Sequence, residues 1–203
     1  MRASRAADLD ASTGDLYAAA GDVDAPAGFV YHAGVIAEDE ERALVDALRA
    51  VEFAEVRMRG AVARRRAAHF GWRYGYETFR IEPGPPIPEF LLPLRARVAA
   101  LAGVAADAFA EAMLIEYPAG AGIGWHVDAP MFGMVAGVSL ASACRFRFER
   151  GTGTERQTCA VSLAPRSLYL LAGEARTAWR HGIPPTKALR YSVTFRTLRR
   201  PSA

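Results

Sequence analysis

The chain has 203 residues, 51% of them apolar and 23% charged, with a formal net charge of +3. That length and mixture bury a full core in one domain and exclude a disordered, collagen-like or low-complexity body. Two cysteines are too few for a disulfide framework or a four-thiolate zinc site; Cys144 alternates with Phe146 and Phe148, as a buried free thiol in a reducing compartment would.

Residues 1–26 alternate charges with small residues and carry no apolar core of the secretory kind. They are expected to form a flexible N-terminal arm, with a single domain over residues 27–203. "FVYHAGVI" reads as a first strand. "AEDEERALVDALRAV" follows, with acids in its first turn and Leu44, Val45, Leu48 and Val51 at helical spacing, and predicts an amphipathic helix. A basic segment at 57–66 leads into "HFGWRYGYETFRIEPGPPIP", a strand or hairpin closed by proline and glycine. Leu91, Leu94, Val98 and Leu101 then mark one face of a second helix, with Pro93 tolerated near its start. The alanine-rich stretch "VAALAGVAADAFAEAMLI" is interrupted by Asp107 and Glu111 and is not expected to span a membrane. A cytoplasmic monomer is expected.

From residue 111 the period changes to two. "EAMLIEY", "MVAGVSL", "CRFRFER", "QTCAVSL", "SLYLLAG" and "YSVTFRT" are short strand-like runs separated by glycine, proline or charge. The expected fold is α+β with a mainly β core: a double-stranded β-helix, or jelly roll, with the N-terminal helices packed on it.

Charge is unevenly placed. "RMRGAVARRR" holds five arginines in ten residues, and no acidic residue follows Glu174. Such clusters suit a polyanion. Arginine also outnumbers lysine 24 to 1, a bias that by itself yields solvated basic faces.

The chain has four histidines, and one lies in "GWHVDAPMFG". Side chains at i and i+2 of a strand share a face, so His126 and Asp128 converge on one point, either as metal ligands or as polar residues on a wet strand. His181, in "AWRHGIPP", supplies a third ligand. Two histidines and one carboxylate form the facial triad of non-haem Fe(II) oxygenases, which leaves positions for a co-substrate and O2. His32 and His69 fit no ligand spacing and read as structural.

Arg190 and Arg196 flank "YSVTF" at an even spacing that puts both on one strand face with Ser192 and Thr194, opposite Tyr191, Val193 and Phe195. Such a face either binds a dicarboxylate through charge-assisted bonds or stands in water.

Taken together, "HFGWRY", "LIEYPAGAGIGWHVD", "VSL", "LAPRSLYLLAGEARTAWRHGI" and "RYSVTFR" resemble, in order and over roughly residues 29–198, the AlkB-like dioxygenases that use Fe(II) and 2-oxoglutarate. The resemblance implies a jelly-roll core with His126, Asp128 and His181 as iron ligands. It implies that Arg190 holds the distal carboxylate of 2-oxoglutarate, with Tyr117 and Arg196 completing that pocket. The implied activity is oxidation of a C–H bond with O2, most simply demethylation or dealkylation of an alkylated base in DNA or RNA.

Two departures bear on substrate. Ile115 stands where many members carry asparagine, which removes one polar contact to the co-substrate. Ala129, Pro130 and Met131 stand where base-repair members tend to carry acids. Trp72, Tyr74 and Tyr76 are candidates for stacking on a flipped base, and Arg64, Arg65 and Arg66 for meeting flanking phosphates. The same iron centre acting on a tRNA base, a protein side chain or a small molecule is the alternative. A non-enzymatic jelly-roll binding module is a third reading, and the matching dicarboxylate site argues against it.

Overall fold

The computed structural model describes residues 25–58, 61–75 and 80–199. Nearly all of the expected N-terminal arm, and Tyr76, lie outside the described residues.

The first strand, β1, is Phe29–His32, shorter than the apolar run that announced it. Helix α1, Glu38–Arg49, carries four acidic residues in its first turn and buries Val45 and Leu48. Those acids complement the positive end of the helix dipole, and Glu40 accepts the Ala37 N–H at 2.9 Å. Strands β2, Ala54–Met58, β3, Ala61–Gly75, and β4, Arg80–Pro83, follow.

Arg64, Arg65 and Arg66 of the basic segment lie in the first half of a fifteen-residue strand whose second half makes the aromatic hairpin with β4, and Arg57 lies on β2. Helix α2, Leu92–Ala102, has Pro93 in its first turn, where no helical donor is lost, and stops at Gly103 in the left-handed region (φ 68°). Leu91, Leu94 and Val98 are buried. Leu101, expected on that face, is exposed in the last turn, where Ala102 and Val104 pack instead.

The six period-two runs all form strands: β5, Phe109–Tyr117; β7, Phe132–Leu140; β8, Cys144–Arg150; β9, Gln157–Leu163; β10, Ser167–Leu171; and β12, Arg190–Leu198. Two further strands lie outside those six runs, β6 at Ile123–His126, which holds the strand expected at His126, and β11 at Arg180–Ile183, and the short helix α3, Gly173–Thr177, precedes β11. Each of these strands has four residues including a glycine, too few to show alternation.

The strands form two sheets, ordered β1-β10-β7-β12-β5-β3-β2, with β4 added on β3, and β6-β11-β8-β9. This is the expected jelly roll. Its inter-sheet core includes Ile115, Tyr117, Cys144, Phe146, Phe148, Tyr169 and Trp179. A second core lies on the other face of the larger sheet, where Val45, Leu48, Leu94 and Val98 pack with Leu114, Val193 and Phe195. Gly137 is needed where the sheets close: a Cβ there would stand 2.2 Å from the ring of Tyr169, its cross-strand partner.

β12 divides as its alternation predicted. Tyr191, Val193 and Phe195 join the helix-side core. Arg190 is 0%, Ser192 2%, Thr194 3% and Arg196 7% exposed, so the polar face lines the interior and does not stand in water. Among the described residues, no helix is long and apolar enough to cross a membrane.

Candidate metal centre and co-substrate pocket

β6 and β11 are antiparallel neighbours in which His126 pairs directly with His181, and the register shifts just beyond, between His181 and Ile183. Close approach of the strands depends on Gly182, where a Cβ would meet the Ile123 carbonyl at 2.9 Å. The two imidazole rings come to 4.3 Å between centroids. Asp128 is not on the strand, which ends at His126; it reaches the same point from the following loop. The sequence thus identifies the converging side chains, while the backbone that brings in the carboxylate differs from the two-residue strand repeat.

One ligand atom from each of His126, Asp128 and His181 lies within 4.8 Å of the others. The His126 Nδ1–H donates to the Gly124 carbonyl at 3.0 Å, which leaves Nε2 with its lone pair toward the centre. Asp128 Oδ2 is buried without a hydrogen-bond partner, 3.3 Å from His181 Nε2. Burial pushes the His126 pKa down to about 4, helped by the charge of His181, so the ring is neutral at pH 7. Burial works to raise Asp128, but Arg196, foremost among the opposing charges, holds it well below the usual carboxylate range. A neutral imidazole at His126, a second imidazole at His181 and an ionised carboxylate with a free oxygen make a donor set that fits iron.

The polar face of β12 continues the site. Arg190 pairs across the strands with Tyr117, and its guanidinium carbon lies 5.1 Å from the centre of the phenol ring. Its Nε donates to Ser139 Oγ at 3.0 Å, while both terminal nitrogens are buried without a hydrogen-bond partner. Burial raises the Tyr117 pKa, so its hydroxyl stays protonated as a donor. A wholly buried cation with two unmatched donors is unfavourable unless an anion completes it. Ile115, 6% exposed, is part of the adjoining apolar cluster. A carboxylate of 2-oxoglutarate fits this pocket.

Arg196, expected to share that pocket, is engaged elsewhere. Its Nε and one terminal nitrogen donate to Asp128 Oδ1 at 3.0 and 2.7 Å, and its other terminal nitrogen donates to Glu111 Oε2 at 2.9 Å. Glu111 Oε1 in turn lies 3.1 Å from His69 Nδ1. His69, read from its spacing as structural, and Glu111 are thereby connected to the metal centre. A signal for Glu111 existed: it stands six residues before Tyr117 on β5, as Arg196 stands six after Arg190 on β12, and both pairs are in register.

Beside Asp128 opens a cleft of about 620 Å3, lined by Tyr74, Val127, Ala129, Phe132 and Met134 among others. Asp128 is its one carboxylate among the described residues, and Arg176 and Arg199 are its cations. Arg176, 6% exposed, donates to the carbonyls of Ala129, Phe132 and Gly133 at 2.7–3.0 Å and so ties down the loop that follows Asp128.

The tentative substrate residues separate. Tyr74 lines the cleft and Trp72 is 40% exposed. Strand alternation divides the three arginines expected to meet phosphates. Arg64 and Arg66 are exposed, Arg66 pairing with Glu116 at 2.6 Å, whereas Arg65 is 8% exposed on the interior face, in the electrostatic field of Tyr117. They do not form one basic patch.

Comparison with known proteins agrees with this geometry. The family model of the 2OG-Fe(II) oxygenase superfamily matches residues 28–196. The chain is 31% identical over 150 residues to the Alkylated DNA repair protein ALKBH8 homolog of Arabidopsis thaliana, covering 62% of this chain and 43% of that protein. It is 27% identical over 161 residues to the tRNA (carboxymethyluridine(34)-5-O)-methyltransferase ALKBH8 of Mus musculus, covering 75% of this chain and 24% of that protein. The chain thus spans less than half the length of these curated relatives. The solved structure of OsALKBH1 superposes with a TM-score of 0.64 at 12% identity, covering 87% of this chain and all of that one, a likeness of fold.

Proposed function

The chain belongs to the 2OG-Fe(II) oxygenase superfamily, and from that premise we propose that it is an Fe(II)- and 2-oxoglutarate-dependent dioxygenase that oxidises a base in a nucleic acid. The observation that carries the reading is the convergence of the His126–Asp128–His181 cluster with Arg190, a buried cation whose terminal nitrogens await an anion. When bound, iron and 2-oxoglutarate supply the oxidation of a C–H bond by O2. The chain's own part is placement. His126, Asp128 and His181 hold the ion, Arg190 with Tyr117 orients the co-substrate, and the inter-sheet core keeps bulk water from the pocket.

The names of the two ALKBH8 relatives concern DNA repair and tRNA, which supports a nucleic-acid substrate. The cleft supports a particular kind of base. Among the described residues it has no carboxylate other than the metal ligand Asp128, and it has two arginines, so a neutral or anionic base is better received than a cationic methylated one. Modification of an uncharged RNA or DNA base is therefore favoured over repair of cationic lesions. We also place the protein in the cytoplasm as a monomer, a setting consistent with Cys144 and Cys159 not being joined in a disulfide.

Succinate formation from 2-oxoglutarate, measured against methylated DNA, methylated RNA, tRNA and peptides, tests the reading. Stimulation by a nucleic acid is expected. Stimulation by peptides alone overturns the substrate, and no 2-oxoglutarate turnover under any condition overturns the oxygenase.

A further inference from the structure

We infer that Glu111 is a positioning residue for the metal centre: acting through Arg196, it fixes which oxygen of Asp128 is presented to the ion. The inference rests on the metal-centre reading above.

Arg196 and Glu111 are cross-strand partners on β12 and β5, so their side chains rise side by side from opposed positions. Asp128 Oδ1 accepts from Arg196 Nε at 3.0 Å and from Nη2 at 2.7 Å. Oδ2 accepts nothing and faces His181 Nε2 at 3.3 Å. The carboxylate is thus divided into one occupied oxygen and one offered oxygen. Which is which depends on the plane and reach of the guanidinium.

A guanidinium gripped on one edge can pivot about its carboxylate; gripped on two edges it cannot. Glu111 Oε2 provides the second grip, on Nη1 at 2.9 Å, and the Phe132 ring lies under the guanidinium at 5.4 Å. Glu111 is itself held, because Oε1 meets His69 Nδ1 at 3.1 Å and the residue is 1% exposed. His69, with 39% of its side chain exposed, forms the outer end of a string that runs inward through Glu111 and Arg196 to Asp128. Groups that orient a ligating carboxylate tune affinity without touching the ion.

The rival account is that Glu111 only neutralises a buried arginine, in which case its loss lowers stability and leaves the metal site unchanged. Titration of the metal-free protein with Co(II), followed by visible absorption, separates the two. Glu111→Gln keeps an acceptor for Arg196 and is expected to weaken Co(II) binding several-fold, whereas Glu111→Ala is expected to weaken it about 10- to 100-fold and to shift the Co(II) bands, with 2-oxoglutarate affinity at saturating Co(II) within about two-fold of wild type. Wild-type Co(II) affinity and bands in a folded Glu111→Ala protein overturn the inference. Should that variant not fold, wild-type affinity and bands in Glu111→Gln overturn it equally. A wild-type protein that takes up no Co(II) overturns the metal-centre reading as well. Wild-type uptake that is abolished in His181→Ala upholds that reading independently of Glu111.

Discussion

Arg190 and Tyr117 stand opposite each other on β12 and β5, cation over ring at 5.1 Å, and no part of Arg190 is exposed to solvent. Burial without an ion partner makes this arginine a burden on the fold in the absence of ligand and an asset once an anion arrives.

Opposite signs of effect follow for one substitution. Arg190→Met removes the buried charge and keeps most of the volume, so the ligand-free protein is expected to melt at the wild-type temperature or above it. It should lose 2-oxoglutarate affinity by about 2 to 5 kcal/mol, the cost of leaving a carboxylate without its charged partner. Arg190→Lys should recover part of that, lacking the planar fork. Thermal melts with Mn(II), with and without 2-oxoglutarate, check this: wild type is stabilised by the co-substrate, and an equal shift in Arg190→Met is incompatible with the pocket.

Acid should destabilise the metal-free protein through His126. Burial pushes its folded pKa down to about 4 from 6.5. Below pH 6.5 the unfolded chain takes up a proton that the folded one refuses until about pH 4. The stability present above pH 6.5 is therefore lost as pH falls across that window, by about 3 kcal/mol in all. Asp128, held well below the carboxylate range, does not titrate there. Urea unfolding from pH 7 to 4 measures the slope, and His126→Asn, which has no imidazole to titrate, should flatten it. An undiminished slope in that variant assigns the acid sensitivity to other groups.

The jelly roll and the convergence of His126, Asp128 and His181 were legible in the sequence because they rest on local signals: period-two runs for β5, β7, β8, β9, β10 and β12, and a His-x-Asp pair with a later histidine. Strand alternation likewise separated Arg190 and Arg196 from Tyr191, Val193 and Phe195 correctly. What stayed hidden depends on contacts between distant segments. Arg196 reads as a twin of Arg190, yet its partners are Asp128 and Glu111, 68 and 85 residues away along the chain. The run Arg64–Arg65–Arg66 reads as one basic patch until its placement in β3 sends Arg65 inward.

The loop after Asp128 should depend on Arg176. This buried side chain carries three hydrogen bonds to the Ala129, Phe132 and Gly133 carbonyls, and no other residue type offers that fan of donors. Arg176→Met is expected to lower stability by about 2 to 4 kcal/mol, because it leaves carbonyls unmatched. It should also raise the substrate KM at least several-fold while 2-oxoglutarate turnover without substrate stays near wild type, since Arg176 touches neither the metal ligands nor Arg190. Unchanged KM in a folded Arg176→Met protein would separate this loop from substrate binding.

If a nucleic acid is the substrate, its phosphates meet side chains that are exposed and carry no carboxylate partner. Of the arginines on the 64–66 run and in the cleft, Arg64 and Arg199 satisfy both conditions: each is exposed and has no ion pair among the described residues, and Arg199 lines the cleft. Arg66 is exposed but held by Glu116, and Arg65 is buried. Each phosphate that is no longer neutralised should lower the slope of log affinity against log salt by about one unit on duplex DNA and somewhat less on single strands. Arg64→Gln and Arg199→Gln are therefore expected to flatten the slope by about one unit each and by about two together, and Arg66→Gln by less. Arg65→Gln should leave the slope unchanged and lower the melting temperature, because it perturbs the interior beside Tyr117. Fluorescence anisotropy with labelled single-stranded DNA, duplex DNA and tRNA from low to physiological salt makes the measurement. Equal effects of Arg64 and Arg65 replacements would contradict the division of β3 into an outward and an inward face, and a wild-type affinity that ignores salt for all three probes removes nucleic acid as the substrate.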